Sequence, residues 1–366
     1  MLKQKTFRTY KEQIEFMRSR GIEITDEKRA IETLSTFSYY SLVNLNKHLY
    51  GGLNRREFTG NPSIMDLQLA HMVNMNFYQV VLKGILYVEA SFKTKLAYLI
   101  SRKFGSVSGD DITDPNANYF YRGYYDSSSS LTNSILSTLQ NKLRYLESSA
   151  NENSYSREFL ADNKQLPPWI FIHDVEFGLA IQWYNILREL DKDEICDKMM
   201  WGEIGKRPDD IPVTLAKEFL TSALETLRVY RNTIAHGERV FSSEMLCSLP
   251  EEPLFAILPD GTLTLDEYKA GVGTNDPYAC LIAIILFIHD PVLMLSFLTE
   301  LQSQLDFARL MQQTMAPGAL DVYRILGIPP YTMERLIQLS HERFGDVSRS
   351  YFKLTEHPQD HGIYAE

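Results

Sequence analysis

An arginine and a histidine five residues apart are the pair in this chain whose types and spacing best suit chemistry. They are Arg231 and His236, and Asn232 directly follows the arginine in the segment RNTIAH. A guanidinium keeps its charge at physiological pH, and its planar fork matches a phosphate. Imidazole titrates near neutrality and transfers protons. Together with the Asn232 amide, which orients either group, the two side chains suit the attack of an RNA 2′-hydroxyl on its own phosphate. That reaction requires no metal.

The same pair has a plainer interpretation. It lies at the end of a predicted helix that Gly237 stops, where cations favour the helix dipole and bind the last carbonyl groups. A similar pair with looser spacing, Arg335 and His341, shows that such arrangements also arise by chance. Spacing alone therefore leaves catalysis and helix capping open.

The elements that must position these residues are helices. Apolar residues recur at every third or fourth position over residues 77–104, 168–186, 212–236 and 279–304. Shorter amphipathic segments occupy residues 10–20, 27–50, 131–146 and 331–344. This periodicity predicts an all-α, mostly helical protein.

Two segments depart from the helical pattern. Residues 255–265 place two β-prone runs around Pro259-Asp260-Gly261, which predicts a small β-hairpin within an insertion at 251–276. Residues 106–130 are rich in Gly, Asp, Tyr and Ser, which predicts a long surface loop. We expect an N-terminal helical portion (1–60), one helical domain (61–345) and a C-terminal tail (346–366).

Composition excludes several classes of protein. The chain has 366 residues, with 37 Lys and Arg against 47 Asp and Glu, so its net charge of −10 argues against a coat of nonspecific phosphate contacts. A local basic groove stays possible. Three scattered cysteines suit neither a disulfide framework nor a zinc site. The longest apolar run, 279–288, is about half a membrane span. We expect a soluble, cytoplasmic protein that uses no metal or cofactor.

An acid also interrupts the apolar stripe of the longest predicted helix. Glu89 lies between Ile85 and Phe92 of that stripe, and a buried carboxylate normally needs a partner. Arg231 is the natural candidate, so we predict a contact between the two. Glu89 then either orients the catalytic arginine or histidine, or forms only a structural ion pair.

A local basic patch follows Glu89 along the chain. It contains no acid between residues 90 and 109, and Arg228 and Arg239 are candidates to extend it from the other helix. Its own cations are Lys93, Lys95, Arg102 and Lys103, and the nearby tyrosines are Tyr98, Tyr119, Tyr121, Tyr124 and Tyr125. Cations interleaved with aromatic rings suit single-stranded RNA. A solvated helix face beside a tyrosine-rich loop is the alternative.

Several segments resemble one known family. Residues 230–240, YRNTIAHGERV, are similar to the signature helix end of the HEPN superfamily. More narrowly, the chain resembles the Abi-like abortive-infection proteins of bacteria (AbiD/AbiF type), whose segments occur here in the same order. These are residues 37–42 (FSYYSL), 88–98 (VEASFKTKLAY), 167–169 (PPW) with Phe177-Gly178, and 326–329 (LGIP). The resemblance spans about residues 10–335, with Lys93 where the family often has Arg and an insertion at 251–276 that is longer than usual.

The resemblance implies a HEPN-type helical bundle in a phage-defence protein. It implies a metal-independent endoribonuclease whose site is Arg231, Asn232 and His236, completed by a second copy of the chain. The expected partners are therefore single-stranded RNA and a homodimer mate, with no membrane and no DNA. Two alternatives stay open: a non-catalytic protein that holds a structured noncoding RNA, and a protein-binding helical scaffold.

Overall fold

The computed structural model describes residues 7–51, 57–108, 113, 118–148, 155–162, 165–235, 247–316 and 318–344. Within these ranges the chain forms fifteen α-helices and no β-strand, so the all-α prediction is confirmed. The helices are α1 (Tyr10–Arg18), α2 (Glu27–Tyr39), α3 (Ile64–Phe104), α4 (Thr132–Glu147), α5 (Tyr155–Asp162), α6 (Pro168–Phe171), α7 (Phe177–Asn185), α8 (Glu189–Trp201), α9 (Val213–Ala235), α10 (Glu251–Ile257), α11 (Leu265–Lys269), α12 (Pro277–Phe287), α13 (Pro291–Met315), α14 (Val322–Leu326) and α15 (Thr332–Phe344).

Helix α3 is the axis of the molecule. Its 41 residues extend over about 60 Å. It begins at a capping box, in which the Asp66 N–H donates to the Ser63 hydroxyl (3.1 Å) and the Ser63 N–H donates to the Asp66 carboxylate (2.7 Å). Helices α6, α7, α8, α9, α12, α13 and α14 all pack against α3. It therefore contacts both α7 and α9, and α9 carries Arg231 and Asn232.

The most deeply buried helix is α12. All eleven of its residues are buried, because α3, α8, α9 and α15 enclose a helix that is apolar on every side. Gly84 of α3 allows this close packing: a Cβ at that position would lie 2.6 Å from Phe297 and 2.9 Å from Ile284. Among the helices in the described ranges, none combines the length and the apolar character that crossing a bilayer requires.

The N-terminal helices pack against each other and join the first turns of α3. The Asn46 amide donates to the carbonyl groups of Leu42 (2.9 Å) and Leu67 (3.4 Å). The Thr33 hydroxyl donates to the side-chain oxygen of Gln68 (3.3 Å). These contacts are at the end of α3 farthest from Glu89.

The β-hairpin predicted for residues 255–265 is wrong. The predicted turn at 259–261 exists, but it joins two helices, α10 and α11. Helix α11 starts at a capping box formed by Thr264 and Glu267, a helix signal that the β-prone residue types obscured. Two glutamates in the first turn of α10 favour a helix there as well.

The surface loop predicted for residues 106–130 is also wrong over its second half. Tyr119, Phe120 and Tyr125 are buried and pack around Trp183. Their polar atoms are satisfied: Tyr119 donates its hydroxyl to the Leu166 carbonyl (3.0 Å), and the Trp183 indole N–H donates to the Tyr125 oxygen (3.1 Å). Large aromatic rings with bonded polar ends stabilise a core, whatever turn-forming residues surround them.

Two helices predicted as continuous are divided. The segment 279–304 spans α12 and α13, because the Asp290 carboxylate accepts from the Leu293 N–H (2.8 Å) and Pro291 lacks an N–H of its own. The segment 168–186 forms α6, a short 3-10 helix and α7, with Val175 extended between them.

A half-buried histidine makes the contact between α8 and the segment before α13 sensitive to acid. His289 Nε2 is 2.8 Å from the Met199 carbonyl, and Nδ1 is 3.1 Å from the Arg343 guanidinium. A neutral imidazole satisfies both contacts, donating through Nε2 and accepting through Nδ1. Burial lowers the pKa of His289 from 6.5 to about 4, and the charges of Arg343 and Lys95 act in the same direction.

We therefore expect acid to destabilise the fold through His289. Because the folded pKa lies below the unfolded value, the contribution of His289 is complete above about pH 6.5 and is lost as the pH falls towards 4. The expected loss is about 2–3 kcal/mol in the free energy of unfolding. Denaturant titrations at several pH values will show a shallower acid decline for His289→Gln. Equal declines in the parent and the variant would contradict this.

Candidate functional site

Arg231 and Asn232 lie in the last described turns of α9, whose apolar face is packed in the core. The buried residues of that helix include Phe219, Leu220, Ala223, Leu224, Leu227 and Tyr230. Tyr230 donates its hydroxyl to the Asn275 carbonyl (2.9 Å), which fixes this end of α9 to the segment before α12. Arg231 follows Tyr230 directly, and 39 % of its side chain is exposed at the edge of the core.

The predicted contact between Glu89 and Arg231 is confirmed. Arg231 Nε lies 3.7 Å from Glu89 Oε2. Glu89 is only 8 % exposed, and its other oxygen, Oε1, lies 2.7 Å from the Lys93 ammonium one turn later on α3. Oε2 is buried and makes no hydrogen bond to any described residue. Lys93 thus holds one oxygen of the carboxylate, while the other faces Arg231.

Most N–H groups of Arg231 make no hydrogen bond in the described part of the chain. Nη1 lies 3.4 Å from the side-chain oxygen of Asn232, and Nε is too far from Glu89 for a hydrogen bond. A guanidinium has five N–H donors in a planar fork. The remaining donors stand at an exposed edge and suit the oxygens of a phosphate.

Arg228 lies one turn before Arg231 on α9. Its Nε is 2.7 Å from Glu225, in an ion pair along the same helix. The side chain crosses α7 at Gly178, where an added Cβ would be 3.1 Å from Arg228 Cδ. The glycine of the Phe177-Gly178 pair therefore leaves room for Arg228 beside the site.

A further ion pair reaches the site from α4. The Lys142 ammonium donates to the carboxylate of Glu176, which directly precedes α7. Partial burial acts to raise the pKa of Glu176, but the hydrogen bond from Lys142 and the charges of Lys142 and Lys93 outweigh it. The pKa of Glu176 is therefore below its ordinary value, and the carboxylate is charged at neutral pH.

Together these side chains form what we call the charged cluster. Its members come from α3, α4, α9 and the residue before α7, and they are Glu89, Lys93, Lys142, Glu176, Glu225, Arg228 and Arg231. Four cations against three carboxylates leave one positive charge. The sequence analysis missed Lys142, Glu176 and Glu225, since charged residues on amphipathic helices carry no signal of where they meet.

The other cations of the predicted basic patch lie elsewhere. Arg102 pairs with Glu194, and Lys103 pairs with Asp191 and Glu194, both on α8. Lys95 donates to the Ser91 hydroxyl (2.7 Å), and burial lowers its pKa. Lys93 therefore belongs to the charged cluster. Lys95, Arg102 and Lys103 lie on the side of α8 and do not belong to it. Their role as RNA contacts stays a prediction.

His236 and Arg239 lie outside the described residues. The described chain resumes at Cys247, which is close enough to the charged cluster for Glu225 and Arg228 to act on its thiol. Burial is the main cause that raises the pKa of Cys247. The described residues on both sides of the segment 236–246 therefore lie near the cluster.

Comparison with known proteins gives one match. The family model described as Abi-like protein matches residues 32–242, which is more than half of the chain and includes Glu89, Arg231 and His236. No curated protein and no solved structure matches the chain.

Proposed function

Because the chain belongs to the family of Abi-like proteins, the abortive-infection proteins, we propose that it defends a bacterium against phage by cutting RNA at a HEPN-type site. The reaction is cleavage of single-stranded RNA without a metal. The observation that supports it most is the pairing of a buried, half-satisfied carboxylate, Glu89, with the exposed guanidinium of Arg231. A structural ion pair would normally bring the two groups within hydrogen-bond distance.

Each residue has a distinct role in this proposal. Arg231 binds the phosphate and stabilises the charge that develops on it, because its charge does not vary with pH. Asn232 orients the phosphate or the arginine. His236 takes the proton of the 2′-hydroxyl, whose oxygen attacks the adjacent phosphorus. Glu89 is a positioning residue that acts through Arg231.

The leaving group needs a second proton transfer. As the bond from phosphorus to the 5′-oxygen breaks, that oxygen accepts a proton, and the products are a 2′,3′-cyclic phosphate and a 5′-hydroxyl. One imidazole cannot act as base and acid at the same moment. We therefore propose that a second copy of the chain supplies the acid from its own His236.

A non-catalytic RNA-binding protein is the second candidate. The charged cluster carries one excess positive charge, and the donors of Arg231 that stay unbonded in the described chain bind phosphate whether or not it is cleaved. Such a protein would hold a structured noncoding RNA with the same contacts.

The decisive experiment uses the purified full chain and end-labelled single-stranded RNA in EDTA. We expect cleavage, with products ending in a 2′,3′-cyclic phosphate, because a histidine base activates the 2′-hydroxyl and a metal-activated water does not. RNA that is retained but not cut would favour the binding protein. If the RNA is neither cut nor retained, that result contradicts both candidates and favours the protein-binding scaffold.

Glu89→Gln distinguishes an orienting carboxylate from a simple ion pair. The amide keeps the shape of the side chain but loses the charge that faces Arg231. We expect the cleavage rate to fall about 10- to 100-fold, because small displacements of a reacting group cost that much. RNA binding should change little, as measured by filter retention.

The matched control is Glu267→Gln. Glu267 forms an ion pair with Arg335 (2.8 Å), which is not a member of the charged cluster, and this pair and neighbouring hydrogen bonds hold the pKa of Glu267 at about 2. This variant should lose stability and keep the parental cleavage rate. If Glu89→Gln did the same, Glu89 would be a structural residue.

A further inference from the structure

A cleft between α7, α8 and α9 lies outside the charged cluster. Its volume of about 340 Å³ is within the range of sites that hold small molecules. The end of α7 contributes Tyr184 and Asn185 to its wall, and the start of α8 contributes Glu189 and Lys192. The first half of α9 contributes four more residues, Lys217, Glu218, Thr221 and Ser222. All of these side chains carry polar groups, so this cleft, which we call the α7–α9 cleft, suits a hydrophilic ligand.

The hydroxyl group of Tyr184 is buried at this cleft without a partner. Tyr184 is 1 % exposed, and its hydroxyl makes no hydrogen bond to any described residue. The ring packs edge-on against Phe92 of α3, with 5.9 Å between the ring centres, which fixes its position. Burial raises the pKa of Tyr184 well above its ordinary value, and nearby charges that include Glu189 of the cleft act in the same direction. The hydroxyl is therefore a donor, and leaving a buried donor unbonded costs free energy that an acceptor on a ligand would recover.

Two lysines of the cleft share one carboxylate that the protein itself supplies. Lys192 Nζ lies 2.7 Å from Glu189 Oε1, and Lys217 Nζ lies 2.6 Å from Glu189 Oε2. Both lysine side chains are only 17 % exposed, whereas that of Glu189 is 67 % exposed. Lys217 also pairs with Asp193 (2.7 Å), but Glu189 is the acid that bridges the two ammonium groups. Because ion pairs of exposed side chains are weak, an anion from solution can compete with Glu189 for this position.

The N-terminus of α8 favours an anion at the same place. Glu189 is the first residue of this 13-residue helix, and no described side chain caps its start. The first N–H groups of a helix have no partner within the helix, and the helix dipole adds partial positive charge there. Helix ends of this kind bind phosphate groups. Two ammonium groups and an uncapped helix end therefore adjoin the same cleft as the unbonded Tyr184 hydroxyl.

We propose that the α7–α9 cleft binds a small phosphate ester whose body is a hydroxylated ring, such as a ribose phosphate. The phosphate replaces the Glu189 carboxylate between the two lysines, and Tyr184 donates its hydroxyl to the ligand. Asn185, Thr221 and Ser222 line the rest of the cleft with an amide and two hydroxyl groups, which both donate to and accept from the hydroxyl groups of a sugar. Glu218 at the exposed rim accepts from the same ring.

This site is separate from the proposed site of RNA cleavage. Ser222 precedes Arg231 by nine residues on α9, which is about 14 Å along the helix axis. The cleft and the charged cluster have no residue in common. A volume of about 340 Å³ suits one small molecule rather than a strand of RNA. The ligand site therefore stands or falls independently of the nuclease.

Isothermal titration calorimetry of the full chain tests the proposal with three probes: ribose 5-phosphate, ribose and inorganic phosphate. We expect ribose 5-phosphate to saturate one site on each chain. Ribose and inorganic phosphate should each bind about 10-fold more weakly or less, because each makes only part of the contacts. Inorganic phosphate that bound as tightly as ribose 5-phosphate would contradict recognition of the ring.

Four variants locate the binding site. Lys192→Gln and Lys217→Gln should each raise the Kd for ribose 5-phosphate about 10-fold, because each removes a charge-assisted hydrogen bond. Tyr184→Phe should raise it about 5-fold, since it removes the hydroxyl and keeps the ring. Glu189→Gln should lower the Kd, because the amide no longer competes with the phosphate for the lysines. The matched control is Lys83→Gln, which breaks an ion pair between α3 and α13 and should bind as the parent does.

Three outcomes would overturn the ligand site. The first is a parent that binds none of the three probes. The second is a Glu189→Gln variant that binds ribose 5-phosphate more weakly, since the carboxylate would then belong to the site and not occupy it. The third is labelled RNA whose retention depends on Lys192 and Lys217 while the small probes do not bind. Tyr184→Phe keeps the packing against Phe92, so a loss of binding in that variant is not explained by misfolding.

Discussion

Replacing His236 with alanine should lower the rate of RNA cleavage by about 10²–10⁴-fold. The imidazole is the group in the segment 231–236 that exchanges a proton near neutral pH. RNA binding should stay nearly intact, since the excess positive charge of the charged cluster belongs to other side chains. Single-turnover cleavage and filter retention of the same labelled RNA measure the two effects separately.

His341→Ala is the matched control. His341 follows Arg335 on α15 at a looser spacing, but Arg335 is held by Glu267 (2.8 Å) and stacks on the ring of Tyr331 (3.7 Å to its centre). Arg335 therefore has a structural explanation, and the control should cut RNA at the parental rate. If His236→Ala also cut at the parental rate, the nuclease proposal would fail.

Replacing Arg231 with alanine should impair both binding and cleavage. A phosphate contact acts in the ground state and in the transition state, so kcat/KM should fall about 10²–10³-fold while the Kd for RNA rises. Arg231→Lys should recover part of the binding and little of the rate. A lysine restores the charge but not the planar fork that matches two phosphate oxygens.

The control for this change is Arg335→Ala, which removes a more deeply buried arginine from an ion pair outside the charged cluster. It should lower stability, measured by denaturant titration, without changing cleavage per folded molecule. Equal losses of cleavage in both variants would show that general destabilisation, rather than a phosphate contact, explains the effect.

The position of Glu89 shows how much a local sequence pattern predicts about the contacts of one residue. A carboxylate inside an apolar stripe requires a partner, and the sequence offered Arg231 as the natural one. The structure adds Lys93, which takes one carboxylate oxygen and leaves the other facing Arg231. From the sequence alone, Lys93 is assigned to a basic patch, because the sequence does not show its contact with Glu89 one turn earlier on the same helix.

The basic patch shows the opposite case. No acid lies between residues 90 and 109, so the segment predicts a positive surface. The acids that pair with Arg102 and Lys103 are 92 and 88 residues away in the sequence, on α8. Ion pairing depends on which helices pack together, and that information is not contained in a local count of charges.

By itself, the sequence determined the helical class, the helix that carries Arg231 and Asn232, and the contact between that helix and Glu89. These follow from periodicity and from the cost of burying an unpaired charge, both of which depend on near neighbours. Tertiary structure decided that Tyr119, Phe120 and Tyr125 are core, that α10 and α11 replace a hairpin, and that Lys142 and Glu176 lie near Lys93. Burial and ion pairing are properties of side chains that meet from distant parts of the chain, so packing alone could settle them.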